Sequence, residues 1–193
     1  GDNVANGSLD LGPYYYDADA PAGATSITFG NITDNSMDVT GTALVDATEG
    51  SEYYQFDCVN DGTYDRGWLV NDNINESVAM SSNTLYTYKY QGKDGVENLT
   101  AWSGEFAKYT LAPVPVGLTL TPSTLAGPDY RIALNWTNMN NPTAGSSGFY
   151  ADETSANPGA TDSGWITANS YNDDGLANNT QYTYQVKARN GDG

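Results

Sequence analysis

Two stretches of the chain alternate between apolar and polar residues, and each predicts a β-strand with one buried face. The first runs from Asn83 to Lys93 and the second from Asn179 to Arg189. A period of two residues is expected of a strand whose side chains point alternately into and out of a core. The inward positions are Tyr86, Tyr88 and Tyr90 in the first stretch and Tyr182, Tyr184 and Val186 in the second.

These stretches belong to an internal repeat. Each is preceded by a Gly-Trp pair, and Trp165 lies 97 residues after Trp68, while Tyr182 lies 96 residues after Tyr86. A nearly constant offset at two landmarks indicates a duplicated structural unit. With a chain of 193 residues, the repeat predicts two β-sandwiches of about 100 residues each.

The repeat also divides the chain. Residues 21–112 are predicted to form the first sandwich and residues 113–193 the second, with a proline-stiffened linker between them. The second repeat ends before its final strand. Residues 1–20 align, at an offset of 92 residues, with the last loop and final strand of a repeat. We therefore expect residues 1–20 to be the final strand of a preceding repeat, or a donor strand for a neighbouring subunit.

Composition supports an all-β fold. Tyr, Thr, Val, Asn and Gly are abundant and Leu, Glu and Lys are few, so we expect almost no helix. The predicted strands of the first sandwich are 26–29, 36–44, 52–57, 67–70, 84–91 and 101–109. Those of the second are 117–121, 131–137, 148–152, 164–167 and 181–188.

The missing final strand leads to a hypothesis about assembly. A sandwich without its last strand exposes unpaired backbone groups, which a strand from elsewhere can pair with. Head-to-tail pairing of this kind, repeated without closure, builds a filament. The units are either separate subunits or successive repeats of one long polypeptide. The residues predicted to enter the neighbour are Leu9, Leu11, Tyr14 and Tyr16.

Charge narrows the range of partners. The formal net charge is −17, and the negative potential repels nucleic acid and anionic lipid. No apolar run reaches the roughly 18 residues that a membrane-spanning helix needs. The same potential attracts divalent cations. Flexible Asp/Asn-rich loops, predicted at matching positions of the two copies, supply the oxygen ligands that calcium takes. The candidate calcium ligands are Asp72, Asn73, Asn75, Glu76, Asn172, Asp173 and Asp174.

The chain contains no histidine, which removes the commonest general base and the usual hydrolase triads. No cleft with paired carboxylates is evident in the sequence, so we expect a protein that is not an enzyme. The single cysteine, Cys58, is expected to be a buried small apolar residue. Trp68 and Trp165, which occupy equivalent positions of the repeat, are expected to pack beneath the sheets, in the core.

Asn-x-Ser/Thr triplets offer candidate glycosylation sites if the source organism glycosylates. The better candidates are Asn6 and Asn98, because they occupy equivalent loop positions of the repeat. Asn135 lies within a predicted strand, beside Trp136, and is a poor candidate. The other candidate sites are Asn31, Asn75 and Asn178.

The order of these features resembles the fibronectin type III domain. Each repeat has a proline before its first strand, a Gly-Trp strand, and then Met80 or Leu176 followed by Tyr86 or Tyr182. In that family the tyrosine forms a tyrosine corner, tying the chain back across an immunoglobulin-like sandwich. The first copy departs from the pattern, since Gly41 stands where the second copy has Trp136.

The resemblance is to modules of large bacterial cell-surface and secreted proteins. It implies an extracellular or cell-surface structural protein that assembles head to tail into a filament, surface layer or matrix. The partner is then another copy, or an adjacent repeat. The alternative is a binding or spacer module of a secreted polysaccharide-acting enzyme or adhesin, with surface glycans as partners.

Overall fold

The computed structural model describes residues 19–46, 52–76 and 79–193. Apart from one 3₁₀ turn, Gly62–Tyr64, the regular structure of the described residues consists of antiparallel strands. The predictions of an all-β fold and of almost no helix are confirmed. The proposed inter-subunit strand, with Leu9, Leu11, Tyr14 and Tyr16, lies outside the described residues, as does Asn6.

Seven strands of the described residues form the first sandwich. One sheet has the order β1-β2-β5 and the other the order β4-β3-β6-β7. The inner faces of both sheets enclose one core, in which Tyr88 and Tyr90 are fully buried. The strands are β1 (Ile27–Gly30), β2 (Met37–Gly41), β3 (Tyr53–Cys58), β4 (Arg66–Leu69), β5 (Asn73–Glu76), β6 (Leu85–Lys93) and β7 (Phe106–Tyr109).

Six strands form the second sandwich, with the sheet orders β12-β9-β8 and β11-β10-β13. The order is that of the first sandwich, except that no strand in the described part of the chain takes the place of β7. Its separate core is built around Leu134, Trp136 and Phe149. The strands are β8 (Val116–Thr124), β9 (Tyr130–Thr137), β10 (Gly148–Glu153), β11 (Trp165–Ile166), β12 (Ser170–Leu176) and β13 (Tyr184–Arg189).

Both predicted tyrosine corners are present. The Tyr86 hydroxyl accepts a hydrogen bond of 2.9 Å from the Ser81 backbone N–H. The Tyr182 hydroxyl accepts one of 2.9 Å from the Ala177 N–H and donates one of 2.9 Å to the Pro158 carbonyl. Because each bond joins the chain before a strand to that strand, it fixes the corner on which the strand begins.

The exchange of tryptophan for Gly41 is explained by the opposite sheet. A Cβ atom at Gly41 would lie 2.8 Å from the ring of Tyr90, so this ring fills the space above the glycine. In the second sandwich Trp136 supplies the bulk, and Val186 stands at the position of Tyr90. Interior volume is conserved, because close-packed cores tolerate exchanges that keep the total volume.

Two strands lie where the sequence pattern indicated Asx-rich loops. Asn73–Glu76 and Ser170–Leu176 each form the third strand of a three-stranded sheet, not a loop. Their buried positions include the acidic residues Glu76 and Asp173. A strand with acidic residues on its inner face lacks the alternation of apolar and polar residues that identifies strands in sequences.

Candidate functional site

The two sandwiches meet end to end in a junction made of polar contacts. On the first sandwich it comprises residues 82–84 and the end of the last strand, at 108–110. On the second it comprises the loop 138–147 and the turn 190–193. We call these residues the junction. It is the region in which one module of the chain recognises another.

Asn83 is at the centre of the junction. Its backbone is left-handed, with φ of 43°, a conformation that asparagine tolerates better than most residues. The side-chain Oδ1 accepts a 2.7 Å hydrogen bond from the Gly191 N–H, and Nδ2 donates a 2.6 Å bond to the Pro142 carbonyl. Both capacities of the amide are thus used across the junction, and Asn83 is only 1% exposed.

The turn of the second sandwich makes the remaining contacts. Asn190 Nδ2 donates a 3.0 Å hydrogen bond to the Thr110 carbonyl, and the Lys108 ammonium lies 2.8 Å from the Asp192 carboxylate. Gly191 lies against the ring of Tyr109, where a Cβ atom would come within 2.3 Å of the ring. A glycine is required there because the backbone itself contacts the ring.

An open groove of about 910 Å³ runs beside the junction. Its lining is mainly neutral and polar, with Met80, Met139 and Pro142 as apolar members. Asp34 is the only ionisable residue among the lining residues. The groove has neither the paired carboxylates nor the nucleophile and base that hydrolytic chemistry requires.

The outer edge of β13 is the second candidate surface. In the first sandwich, β6 pairs with β3 on one side and with β7 on the other. The equivalent strand β13 pairs with β10, and no strand among the described residues pairs with its other edge. Tyr184 is buried, and Val186 and Ala188 are partly buried, behind this edge. An unpaired edge beside a core is a template for adding a strand.

Both tryptophans of the Gly-Trp pairs face solvent, which corrects the expectation that they pack in the core. Trp68 is 37% and Trp165 41% exposed. The nitrogen of Lys93 lies 4.7 Å from the Trp68 ring centre, and the guanidinium of Arg189 lies 4.4 Å from that of Trp165. In each case the cation comes from the next strand but one in the same sheet, and its position over the ring favours cation–π attraction on the outer face.

The outer face of the second sandwich also carries a carboxylate. Lys187 lies 4.5 Å from the ring centre of Tyr150, whose hydroxyl donates a 2.8 Å hydrogen bond to Asp162. The Glu153 N–H donates a second bond of 2.8 Å to Asp162. These two bonds, with attraction from Lys187, hold the pKa of Asp162 below its ordinary value. The face is thus a mixed aromatic and charged surface.

The candidate calcium ligands make contacts with other protein groups. Most of the candidate ligands lie on strands β5 and β12, and successive side chains of a strand point to opposite faces of the sheet. Glu76 pairs with Arg66, and Asp174 with Arg131. Asp173 accepts hydrogen bonds from Thr161 and from the Tyr184 hydroxyl. Within the described ranges, no three His, Cys, Asp or Glu side chains come together as a metal site. Calcium binding stays a prediction, with candidates Asp72, Asn73, Asn75, Glu76, Asn172, Asp173 and Asp174.

The candidate glycosylation sites differ in their surroundings. Asn31 and Asn75 both donate to Asp38 from exposed positions, and Asn98 Nδ2 donates a 2.7 Å bond to Asp94. Asn178 is exposed at the end of the second sandwich. Glycosylation of these residues stays a prediction. Cys58 is buried and free, as expected.

The sheet orders, the two tyrosine corners and the end-to-end junction define a tandem β-sandwich protein. Each sandwich is fibronectin type III-like, and no described strand pairs with the outer edge of β13 in the second. A two-domain fibronectin type III segment of chicken tenascin is similar, with a TM-score of 0.52, 12% identity, and coverage of 90% of this chain and 93% of that one. At this identity the likeness shows the fold.

Two further structures align with lower scores. Chitinase ChiA74 from Bacillus thuringiensis has a TM-score of 0.42 and 19% identity, covering 93% of this chain and 28% of that one. The FN1-FN3 domains of chicken CNTN1 have a TM-score of 0.35 and 14% identity, covering 90% and 64%. No protein-family model and no curated protein matches the sequence. In the described part of the chain, no helix is long and apolar enough to cross a membrane.

Proposed function

We propose that this chain is a structural segment of an extracellular or cell-surface protein, joined head to tail through β-strand addition. The observation that carries the proposal is the outer edge of β13, which no described strand covers. Its partner is residues 1–20 of another copy, or the equivalent strand of the next repeat of one long polypeptide. The product is a filament, surface layer or matrix, and the role is mechanical, not catalytic.

The junction supports this proposal. A chain that transmits force needs modules that hold a defined orientation, and a proline-containing linker alone leaves bending freedom. Here Gly191 contacts both Asn83 and Tyr109. The linker, residues 111–115, begins at Leu111, whose carbonyl accepts a hydrogen bond from the Asn83 N–H. A rigid contact between modules gives every unit of a repetitive assembly the same geometry.

The repeat also predicts the register of the added strand. In the first sandwich Ala107 of β7 lies opposite Thr87 of β6. Thr183 occupies the position of Thr87 in the second sandwich, and Tyr15 aligns with Ala107 at the offset of 92 residues. The proposal therefore places Tyr15 of one copy opposite Thr183 of another.

Disulfide trapping tests this register. In a Cys58→Ala background, we expect Tyr15→Cys with Thr183→Cys to form intermolecular disulfides and a ladder of oligomers on a non-reducing gel. Opposite residues of an antiparallel pair have Cα atoms about 4.5–5.5 Å apart, within disulfide range. The matched control is Tyr15→Cys with Gln185→Cys, on the same face but two residues along, which should cross-link poorly. Monomers, or a disulfide within one chain, would overturn the proposal.

The second candidate function is a binding or spacer module of a secreted polysaccharide-acting enzyme or adhesin. The observation that favours it is the pair of exposed tryptophans on equivalent outer faces, since aromatic rings stack on apolar ligand faces. A glycan array gives the measurement. Binding that is lost in Trp68→Ala and Trp165→Ala, by protein that stays monomeric, would support this function over assembly.

A further inference from the structure

The free end of the second sandwich repeats the corner that forms the junction on the first. Asn179 lies 96 residues after Asn83, and both residues have a left-handed backbone, with φ of 47° and 43°. A residue other than glycine rarely adopts this conformation, and asparagine is among those that do so most readily. The two asparagines therefore share both identity and an uncommon backbone geometry.

The surroundings of the two asparagines are also duplicated. The Thr84 hydroxyl donates a 3.0 Å hydrogen bond to the Ser82 carbonyl, and the Thr180 hydroxyl donates a 3.0 Å bond to the Asn178 carbonyl. The tyrosine corners that support the two segments have matching bonds of 2.9 Å. The same local framework presents Asn83 and Asn179.

The two asparagines differ in whether another sandwich covers them. Asn83 is covered by the turn and loop of the second sandwich and is 1% exposed, whereas Asn179 is exposed. A tight turn alone is satisfied by glycine at a left-handed position. At Asn83 the amide has a second role, because it accepts from the Gly191 N–H and donates to the Pro142 carbonyl. Asn179 has the same amide with no module of the described chain above it.

We propose that the corner formed by Asn178, Asn179 and Thr180 is the docking site for a sandwich of a second copy of this chain. Asn179 Oδ1 accepts a glycine N–H from the turn after that sandwich's penultimate strand, and Nδ2 donates to a carbonyl of the loop beside it. This inference rests on the proposed head-to-tail function, and it adds a contact that strand addition alone does not require.

The first sandwich carries a turn suited to this contact. In the second sandwich Gly191 comes two residues after Arg189, the last residue of β13. In the first, Gly95 comes two residues after Lys93, the last residue of β6, and Gly95 is exposed. By the register of the repeat, Gly95 therefore stands at the position of Gly191. A second copy can present Gly95 to Asn179 as Gly191 is presented to Asn83.

The experiment compares two isosteric substitutions at exposed positions, one inside the corner and one outside it. Asn179→Asp keeps the oxygen that accepts but replaces the donor with an oxygen that faces a carbonyl. Asn172→Asp makes the same change in charge on β12, outside the corner. We expect Asn179→Asp to weaken self-association of the full chain, measured by sedimentation velocity, about tenfold or more, because a buried acceptor pair costs more than one hydrogen bond. Asn172→Asp should associate like the parent chain.

A third variant separates docking from folding. Asn179→Gly keeps the left-handed backbone and removes the amide, so its melting temperature should stay close to that of the parent while association weakens. If the parent associates and all three variants associate equally well, the docking site is overturned and strand addition stands. If the parent does not associate and the Tyr15→Cys, Thr183→Cys protein does not cross-link, both the proposed function and this inference are overturned.

Discussion

Substituting Gly191 with valine tests whether the junction couples the two sandwiches. A Cβ atom at Gly191 would lie 2.3, 2.5 and 2.6 Å from three atoms of the Tyr109 ring. The ring and the turn must therefore move apart. The turn carries the N–H that bonds to Asn83 and the neighbouring amide that bonds to Thr110. We expect Gly191→Val to break both hydrogen bonds.

The magnitude follows from these bonds. Each contributes about 0.5–1.5 kcal/mol net, and a buried polar group left without its partner costs about 1–3 kcal/mol. Asn83 is buried and loses the partner of its Oδ1. We therefore expect a loss of about 2–4 kcal/mol of coupling between the sandwiches. This loss corresponds to a roughly 30-fold or larger increase in the population of molecules in which the first sandwich opens while the second stays folded.

Cys58 provides an assay in the other sandwich. It is the only cysteine of the chain, it is 2% exposed, and burial raises the pKa of its thiol. A thiol reagent therefore labels it when the first sandwich opens. When reclosing is faster than labelling, the labelling rate tracks the population of the open form. Gly191→Val should accelerate labelling about 30-fold or more, although the substitution lies in the second sandwich.

The matched control is Gly67→Val, the same change at an exposed strand position where a Cβ atom meets nothing within 4 Å. Its labelling rate should equal or fall below that of the parent, since valine favours strands. If Gly191→Val labels at the parent rate, the sandwiches are energetically independent. The junction would then be a contact without coupling, and the argument for a rigid repeat would fail.

Three further predictions concern stability. Tyr182→Phe loses two hydrogen bonds of its tyrosine corner, so urea unfolding should show a loss of about 1–3 kcal/mol; a variant as stable as the parent would contradict this. Asp162 has a lowered pKa, so the stability it contributes is present above its ordinary pKa and is lost as the pH falls through the lowered value. Asp162→Asn should reduce the free energy of unfolding at neutral pH. On acidification, the variant should lose less stability than the parent does. Burial raises the pKa of Glu76 despite attraction from Arg66. Arg66→Met should therefore cost about 3–5 kcal/mol at neutral pH and less as the pH falls and Glu76 becomes protonated; a cost independent of pH would refute this.

Much of the fold follows from periodicity. The alternating stretches at Tyr86 and Tyr182 form β6 and the segment leading into β13. The tyrosine corners lie where the resemblance to the fibronectin type III domain implied them. These elements were predictable because their inner positions are apolar or aromatic and their outer positions polar. The strands β5 and β12 escaped prediction because partners elsewhere in the fold, Arg66 for Glu76 and Thr161 for Asp173, satisfy acidic residues that face inward.

The two tryptophans of the Gly-Trp pairs show what periodicity could not predict. Sequence alone marked Trp68 and Trp165 as equivalent, and that is correct. It could not tell which face of the sheet they occupy. A strand of two to four residues is too short for alternation to distinguish its faces, and the cations that stabilise the outward position, Lys93 and Arg189, come from other strands of the same sheets.

The chain's own pattern thus determined an all-β tandem repeat and the identity of most strands, because these depend on neighbours in sequence. Only the tertiary structure revealed the junction, in which Asn83 and Gly191 meet although 108 positions separate them. A contact between distant polar residues has no period and no local propensity. Its stability comes from burying complementary groups together, and this arises only when both sandwiches have folded.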